Sequence, residues 1–69
     1  RDDYLKTLRL YLESGCKVQQ TAETNSLHRN TVNYRIRKMR DILGCDFQNG
    51  KQNFLLLMAL YIKTLIEKK

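Results

Sequence analysis

The sequence predicts an all-α domain of four helices built around a helix-turn-helix unit. Three observations carry that expectation. Apolar residues recur at three- and four-residue spacing in each long segment, and no segment requires a strand. Proline is absent, and the three glycines, Gly15, Gly44 and Gly50, each fall where a helical pattern stops or restarts. The chain is 69 residues long, which allows one small domain over 1–69 and no more. Below ~70 to 80 residues a core rarely supplies more than ~3 to 5 kcal/mol unaided. The length also hardly encloses the walled cleft that an enzyme needs.

The first helix is expected over 3–14. Leu5, Leu8 and Leu12, flanked by Tyr4 and Tyr11, recur at helical spacing. Asp2 and Asp3 put carboxylates at the positive end of the helix dipole, one of them as a cap, and Gly15 suits a left-handed stop. A short second helix over 18–24 turns Val18, Thr21 and Ala22 inward. The third covers 29–43, with Val32, Ile36, Met39 and Leu43 as one apolar stripe. Asn30, Tyr34, Arg37 and Asp41 lie opposite, with Thr31, Arg35 and Lys38 on one flank and Arg29, Asn33 and Arg40 on the other. Gly44 ends it. A loop over 45–50 tucks Phe47 back into the core. The fourth helix, 51–68, is apolar over most of its circumference. Phe54, Leu57, Met58, Tyr61 and Leu65 form one stripe by spacing and are assigned to the core. Leu56 and Leu60, with parts of Leu55, Ala59, Ile62 and Ile66, are left over as a candidate contact between two copies.

Charge narrows the function. Lys plus Arg is 13 and Asp plus Glu is 7, a net of +6. Residues 28–40 hold Arg29, Arg35, Arg37, Lys38 and Arg40 with no acid, and so carry +5 of that excess. A localised basic stripe is the footprint of a polyanion binder. The alternative is a solvated helix face, but such faces usually interleave acids with bases. Cys16 and Cys45 form no CxxC pair and have no nearby histidine to complete a metal site, and His28 is the only histidine. They read as small apolar residues of a reducing compartment. No orienting group or oxyanion hole supports a Cys–His nucleophile. No metal or cofactor is expected. The longest apolar run, 54–62, is nine residues, against ~20 for a bilayer span. The chain opens without Met or a signal peptide, so a cytoplasmic piece of a longer protein is the expectation.

The second and third helices together carry the chemistry. Two helices joined by a tight turn at a wide angle form the helix-turn-helix unit. Ala22 is small enough for a close crossing, Leu27 anchors the corner, and Val32 and Ile36 hold the third helix from behind. Its N-terminal front is then free for a major groove. Arg29 suits the O6 and N7 of guanine, and Asn30 or Asn33 suits the N6 and N7 of adenine. Thr31 and Tyr34 suit a phosphate or a thymine methyl. Arg35, Arg37, Lys38 and Arg40 suit phosphates. His28 is read as an N-cap first and a DNA contact second. Tyr34 has an equal alternative on the surface, over Arg37 or Lys38. Arg40 has one as a partner of Asp41 or of the helix C-terminus.

The run Leu27-His28-Arg29-Asn30-Thr31-Val32-Asn33-Tyr34-Arg35-Ile36, followed by Ile42-Leu43-Gly44-Cys45-Asp46, resembles the C-terminal helix-turn-helix domain of PucR/CdaR-type bacterial regulators, the purine-catabolism and sugar-diacid type. It is similar, more distantly, to the DNA-binding ends of Fis and NtrC-like activators. The resemblance covers most of the chain, from Leu5 through the fourth helix. It implies a double-stranded DNA-binding output domain at the C-terminus of a longer transcription regulator. The full-length protein would be a homodimer, with any effector bound upstream. The chain departs from the family's usual pattern at Lys17, where Asn caps the second helix, and at Asn25, where Leu packs in the turn. Asn25 is expected instead to turn left-handed and close the second helix. Two other readings remain at this stage. One is an RNA-binding module, which lacks the aromatic platform favoured for single strands. The other is an interaction or dimerisation module using the fourth helix.

Overall fold

The computed structural model describes residues 2–68. Its elements are α1 (Asp2–Glu13), α2 (Val18–Asn25), α3 (Arg29–Leu43) and α4 (Gly50–Glu67), and no strand occurs among the described residues. The all-α, four-helix expectation holds. Leu8, Tyr11 and Leu12 of α1, Ala22 of α2, Val32, Ile36 and Met39 of α3, and Phe47 of the last loop make one core. Fully burying an aliphatic side chain such as Leu8 or Val32 contributes ~1.5 to 3 kcal/mol. Helix α1 packs on each of the other three, while α2 and α3 also pack on each other.

Asp2 and Asp3 lie inside the first turn of α1, where they face the positive end of the dipole. Two left-handed residues end that helix, Gly15 at φ +76° and Cys16 at φ +65°. The Cys16 N–H returns to the Tyr11 carbonyl at 2.8 Å. Lys17 gives α2 no side-chain cap, as expected. Ser14 fills part of the gap: its Oγ accepts from the Lys17 N–H at 3.0 Å, lies 2.8 Å from the Tyr11 carbonyl and meets the fully buried Thr21 hydroxyl at 3.2 Å. The end of α2 differs from expectation. Asn25 stays helical, and Ser26 takes the left-handed position at φ +54°. Asn25 is held helical by its own side chain, whose Oδ1 accepts from Thr7 of α1 at 2.8 Å.

Helix α3 matches the predicted bounds and stops at Gly44, φ +67°. Its buried stripe is shorter than expected. Leu43 is exposed, because the chain leaves the core at the last turn. Phe47 returns as predicted, in a left-handed conformation at φ +59°, with its ring edge-on to Tyr11 at 5.9 Å. The Asn49 side chain caps α4 by accepting from the Gln52 N–H at 2.9 Å. Asn53 donates to the Phe47 carbonyl at 3.1 Å and reaches Cys16 Sγ at 3.6 Å, which fixes the start of α4 on the loop. Burial raises the Tyr11 phenol and the Cys16 thiol above their ordinary values.

The expected register of α4 is wrong. Leu56, Leu57 and Leu60 are the residues packed against the core, whereas Phe54, Met58 and Leu65 are exposed and Tyr61 lies at the edge. Leu56 and Leu60 are therefore core-facing rather than left over. Apolar residues surround this helix so evenly that spacing alone does not choose among its faces. Tertiary contacts choose: Asn53 and the Tyr61 hydroxyl, which donates to Glu13 of α1, fix the rotation.

Candidate nucleic-acid interface

Three residues, Ser26, Leu27 and His28, join α2 to α3. The Leu27 N–H donates to the Ala22 carbonyl at 2.9 Å, and the Leu27 side chain packs half-buried against the core. Ala22 and Val32 are both buried, so a small side chain stands where the two helices approach. His28 has an extended backbone and caps α3, its Nδ1 accepting from the Asn30 N–H at 3.0 Å. An imidazole that accepts at Nδ1 carries its proton on Nε2, which leaves that nitrogen a donor.

With Val32, Ile36 and Met39 inward, the rest of α3 is set. Arg29, Asn30, Asn33, Tyr34, Arg37, Lys38 and Arg40 are exposed, and Thr31 is half-buried beside them. Successive residues of the set lie on the outer half of one helix, so their side chains share one surface. Lys38 Nζ sits 5.8 Å from the Tyr34 ring centroid, the surface pairing weighed for that tyrosine. The ion pairs among the described residues are Arg9–Glu13 and Lys63–Glu67. Neither pair involves a base of the 28–40 stretch. The dipole of α3 adds a partial positive charge at its N-terminus.

Arg35 is set apart from the others. Its Nη1 donates to the Thr7 hydroxyl at 3.1 Å and approaches the Asp3 carbonyl at 3.4 Å, and its guanidinium lies 5.4 Å from the Tyr4 ring centroid. This side chain is turned to α1, away from the exposed face. Sequence reasoning missed the node to which it belongs. Thr7, fully buried, contacts Asn25 at 2.8 Å while receiving Arg35, and so ties α1 to the end of α2 and the middle of α3. Thr7 was legible in principle. It stands three residues after Tyr4 and four before Tyr11, on the core side of α1, where a polar residue requires a partner.

The surface is open rather than walled. Its shape and chemistry suit a long polyanion that runs across it. No helix among the described residues is long and apolar enough to cross a membrane.

Residues 4–62 match the family described as the PucR C-terminal helix-turn-helix domain. The chain is 39% identical over 62 residues to the purine catabolism regulatory protein of Bacillus subtilis (strain 168), covering 90% of this chain and 12% of that protein. It is 34% identical over 67 residues to the proline-responsive transcriptional activator PutR of the same organism, covering 97% of this chain and 15% of that protein. The DNA-binding transcriptional activator AdeR, also of that organism, is 24% identical over 63 residues, 91% of this chain and 15% of its own length. The chain thus spans 12–15% of the length of these relatives. No solved structure matches. The family match over most of the chain, the short α2, the three-residue turn and the basic α3 agree, and the chain belongs to the PucR C-terminal helix-turn-helix family, the DNA-binding modules of transcription regulators.

Proposed function

We propose that α3 enters the major groove of double-stranded DNA and reads sequence from its N-terminal half. One observation carries this reading: a basic and polar face, with no acid before Asp41, lies exposed on the side of α3 opposite its buried stripe. Arg29, Asn30 and Asn33 act on base edges, since Arg pairs with guanine and Asn with adenine in bidentate geometry. Thr31 and Tyr34 contact phosphate or a thymine methyl. Arg37 and Lys38 neutralise phosphates along the groove. His28 shapes the start of α3 and offers its Nε2 proton to the backbone. Arg35 supports the face through Thr7 and α1 instead of contacting phosphate.

The chain is the C-terminal output domain of a longer cytoplasmic regulator that works as a homodimer. Any effector binds upstream. Two of these relatives are named for purine catabolism and for a response to proline, which fits one output domain shared beneath different sensors.

The test is a duplex selected from a random pool, compared with random duplex. Arg29→Ala should cost ~1 to 3 kcal/mol on the selected site and relax discrimination at one position. An equal loss on both duplexes would remove the base-reading role. A wild-type preference for RNA over duplex DNA would remove the reading altogether.

A further inference from the structure

We propose that the outer face of α4 is a docking surface for the α4 of a second copy of this chain. This deepens the homodimer reading above and rests on it. Leu55, Met58, Ile62 and Leu65 follow a three-four-three spacing, the seam of a two-helix coiled coil. The core-facing residues Asn53, Leu56, Leu57 and Leu60 occupy the opposite side of the same helix. Helix α4 therefore has two apolar faces, and α1 covers one. No other helix packs on α4 among the described residues.

The size of the uncovered face decides what it is for. Leu55, Met58, Ile62 and Leu65, with Phe54 and Ile66 beside them, are each 42–68% exposed. That amounts to roughly 600 Å² of contiguous apolar surface, the upper end of the ~300 to 600 Å² found for the largest patch on a typical monomer. It is also most of the ~800 Å² that each partner contributes to a standard interface. No charged residue lies between Lys51 and Lys63, so nothing on this helix repels a copy of itself across the middle of the contact. A seam of this kind is self-complementary about a two-fold axis, and a two-fold contact is closed. Pairing two α1–α4 layers gives a four-helix bundle, the usual way to bury such seams. Helix α3 touches α1 and α2 but not α4, so both recognition faces stay clear of the contact. The domain measures 33 × 25 × 20 Å, the same scale as the ~34 Å between successive major grooves on one side of a duplex.

The experiment uses the 69-residue chain, its Leu55→Lys/Ile62→Lys variant and the milder Leu65→Gln. Sedimentation equilibrium gives the mass, circular dichroism checks the helices, and binding is measured to duplexes with one or two copies of a selected site. The expected result is a concentration-dependent dimer for the wild type. The lysine variant should be a helical monomer that keeps its affinity for a single site and loses on the order of tenfold or more on the double site, where linkage of two sites raises avidity. Should the lysine variant lose helix, Leu65→Gln decides, and it should raise the dimer dissociation constant at least several-fold. A wild type that stays monomeric at several hundred micromolar, or a dimer that survives the folded variants unchanged, overturns the proposal. Loss of single-site binding with the dimer intact would instead fault the DNA reading and leave the α4 contact standing.

Discussion

Thr7→Val removes one buried hydroxyl and keeps the shape of the side chain, which isolates the node joining α1, α2 and α3. The hydroxyl has a single proton to share between Asn25 Oδ1 at 2.8 Å and the Asp3 carbonyl at 3.0 Å, and it accepts from Arg35 at 3.1 Å. A net hydrogen bond contributes ~0.5 to 1.5 kcal/mol, and one from a charged donor ~1.5 to 3 kcal/mol. Asn25 and Arg35 are both half-exposed, so water recovers part of what they lose. The expected cost is therefore ~1.5 to 3 kcal/mol. In a domain of this size each kcal/mol moves Tm by ~4 to 8 °C, so the transition should fall by roughly 6 to 24 °C. Thermal and urea unfolding followed by circular dichroism measures it. Asn25→Leu alone should cost less, because Thr7 can still donate to Asp3. The double variant replaces both ends of the Thr7–Asn25 bond with apolar groups, so it should lose less than the sum of the singles, with a coupling above ~0.5 kcal/mol. A Thr7→Val domain within ~0.5 kcal/mol of the wild type, or strict additivity of the pair, would refute the node as a source of stability.

Lys38→Ala should weaken selected and random duplexes about equally and shallow the slope of log affinity against log salt by ~1, as titrations at several salt concentrations would show. Gly44→Ala should destabilise by about 1 kcal/mol from backbone strain alone, since φ is +67° and no atom lies within 4 Å of the added methyl; chemical denaturation reads it. The raised thiol of Cys16 and phenol of Tyr11 contribute to a loss of stability at alkaline pH. Burial raises both folded values above the ordinary 9.0 and 10.0, so the folded state holds these protons more tightly. Their contribution is complete below pH 9 and is lost as pH rises through the folded values. Tm measured from pH 7 to 11 should fall above pH 9, with a shallower fall in Cys16→Ala.

How far the sequence reveals this domain depends on how distinct the faces of each helix are. In α3 the apolar and basic residues separate cleanly, so both its bounds and its buried face were legible. Only Leu43 was misassigned, because spacing does not show where a helix leaves the core. In α4 polar residues are too few to mark an outer face, and the register expected from spacing differs from the one observed. Its rotation is set by the contacts of Asn53 with Cys16 and of Tyr61 with Glu13, distant in sequence, which a local pattern does not contain. Arg35 follows the same rule. Charge and spacing place it beside Lys38, but the half-buried ring of Tyr4 and the hydroxyl of Thr7 draw it to α1. The left-handed position of the turn falls one residue later than expected, at Ser26. Asn and Ser both tolerate a left-handed backbone, and the choice between them fell to the Thr7 bond.

That α4 packs on one helix only, α1, and is otherwise tied to the preceding loop through Asn53, has a consequence for how the domain opens. Helices α1, α2 and α3 hold one another in a closed triangle, whereas α4 is attached along one side. Lifting α4 exposes Leu56, Leu57 and Leu60 but breaks no contact between α3 and its neighbours. The last helix is thus expected to open as a separate unit, at a free energy below that of the whole domain. Its amide protons should exchange through this partial opening, and those around Val32 and Ile36 only on global unfolding. A partner seated on α4 would slow the first class and leave the second nearly unchanged, so hydrogen exchange resolves assembly from fold within one molecule.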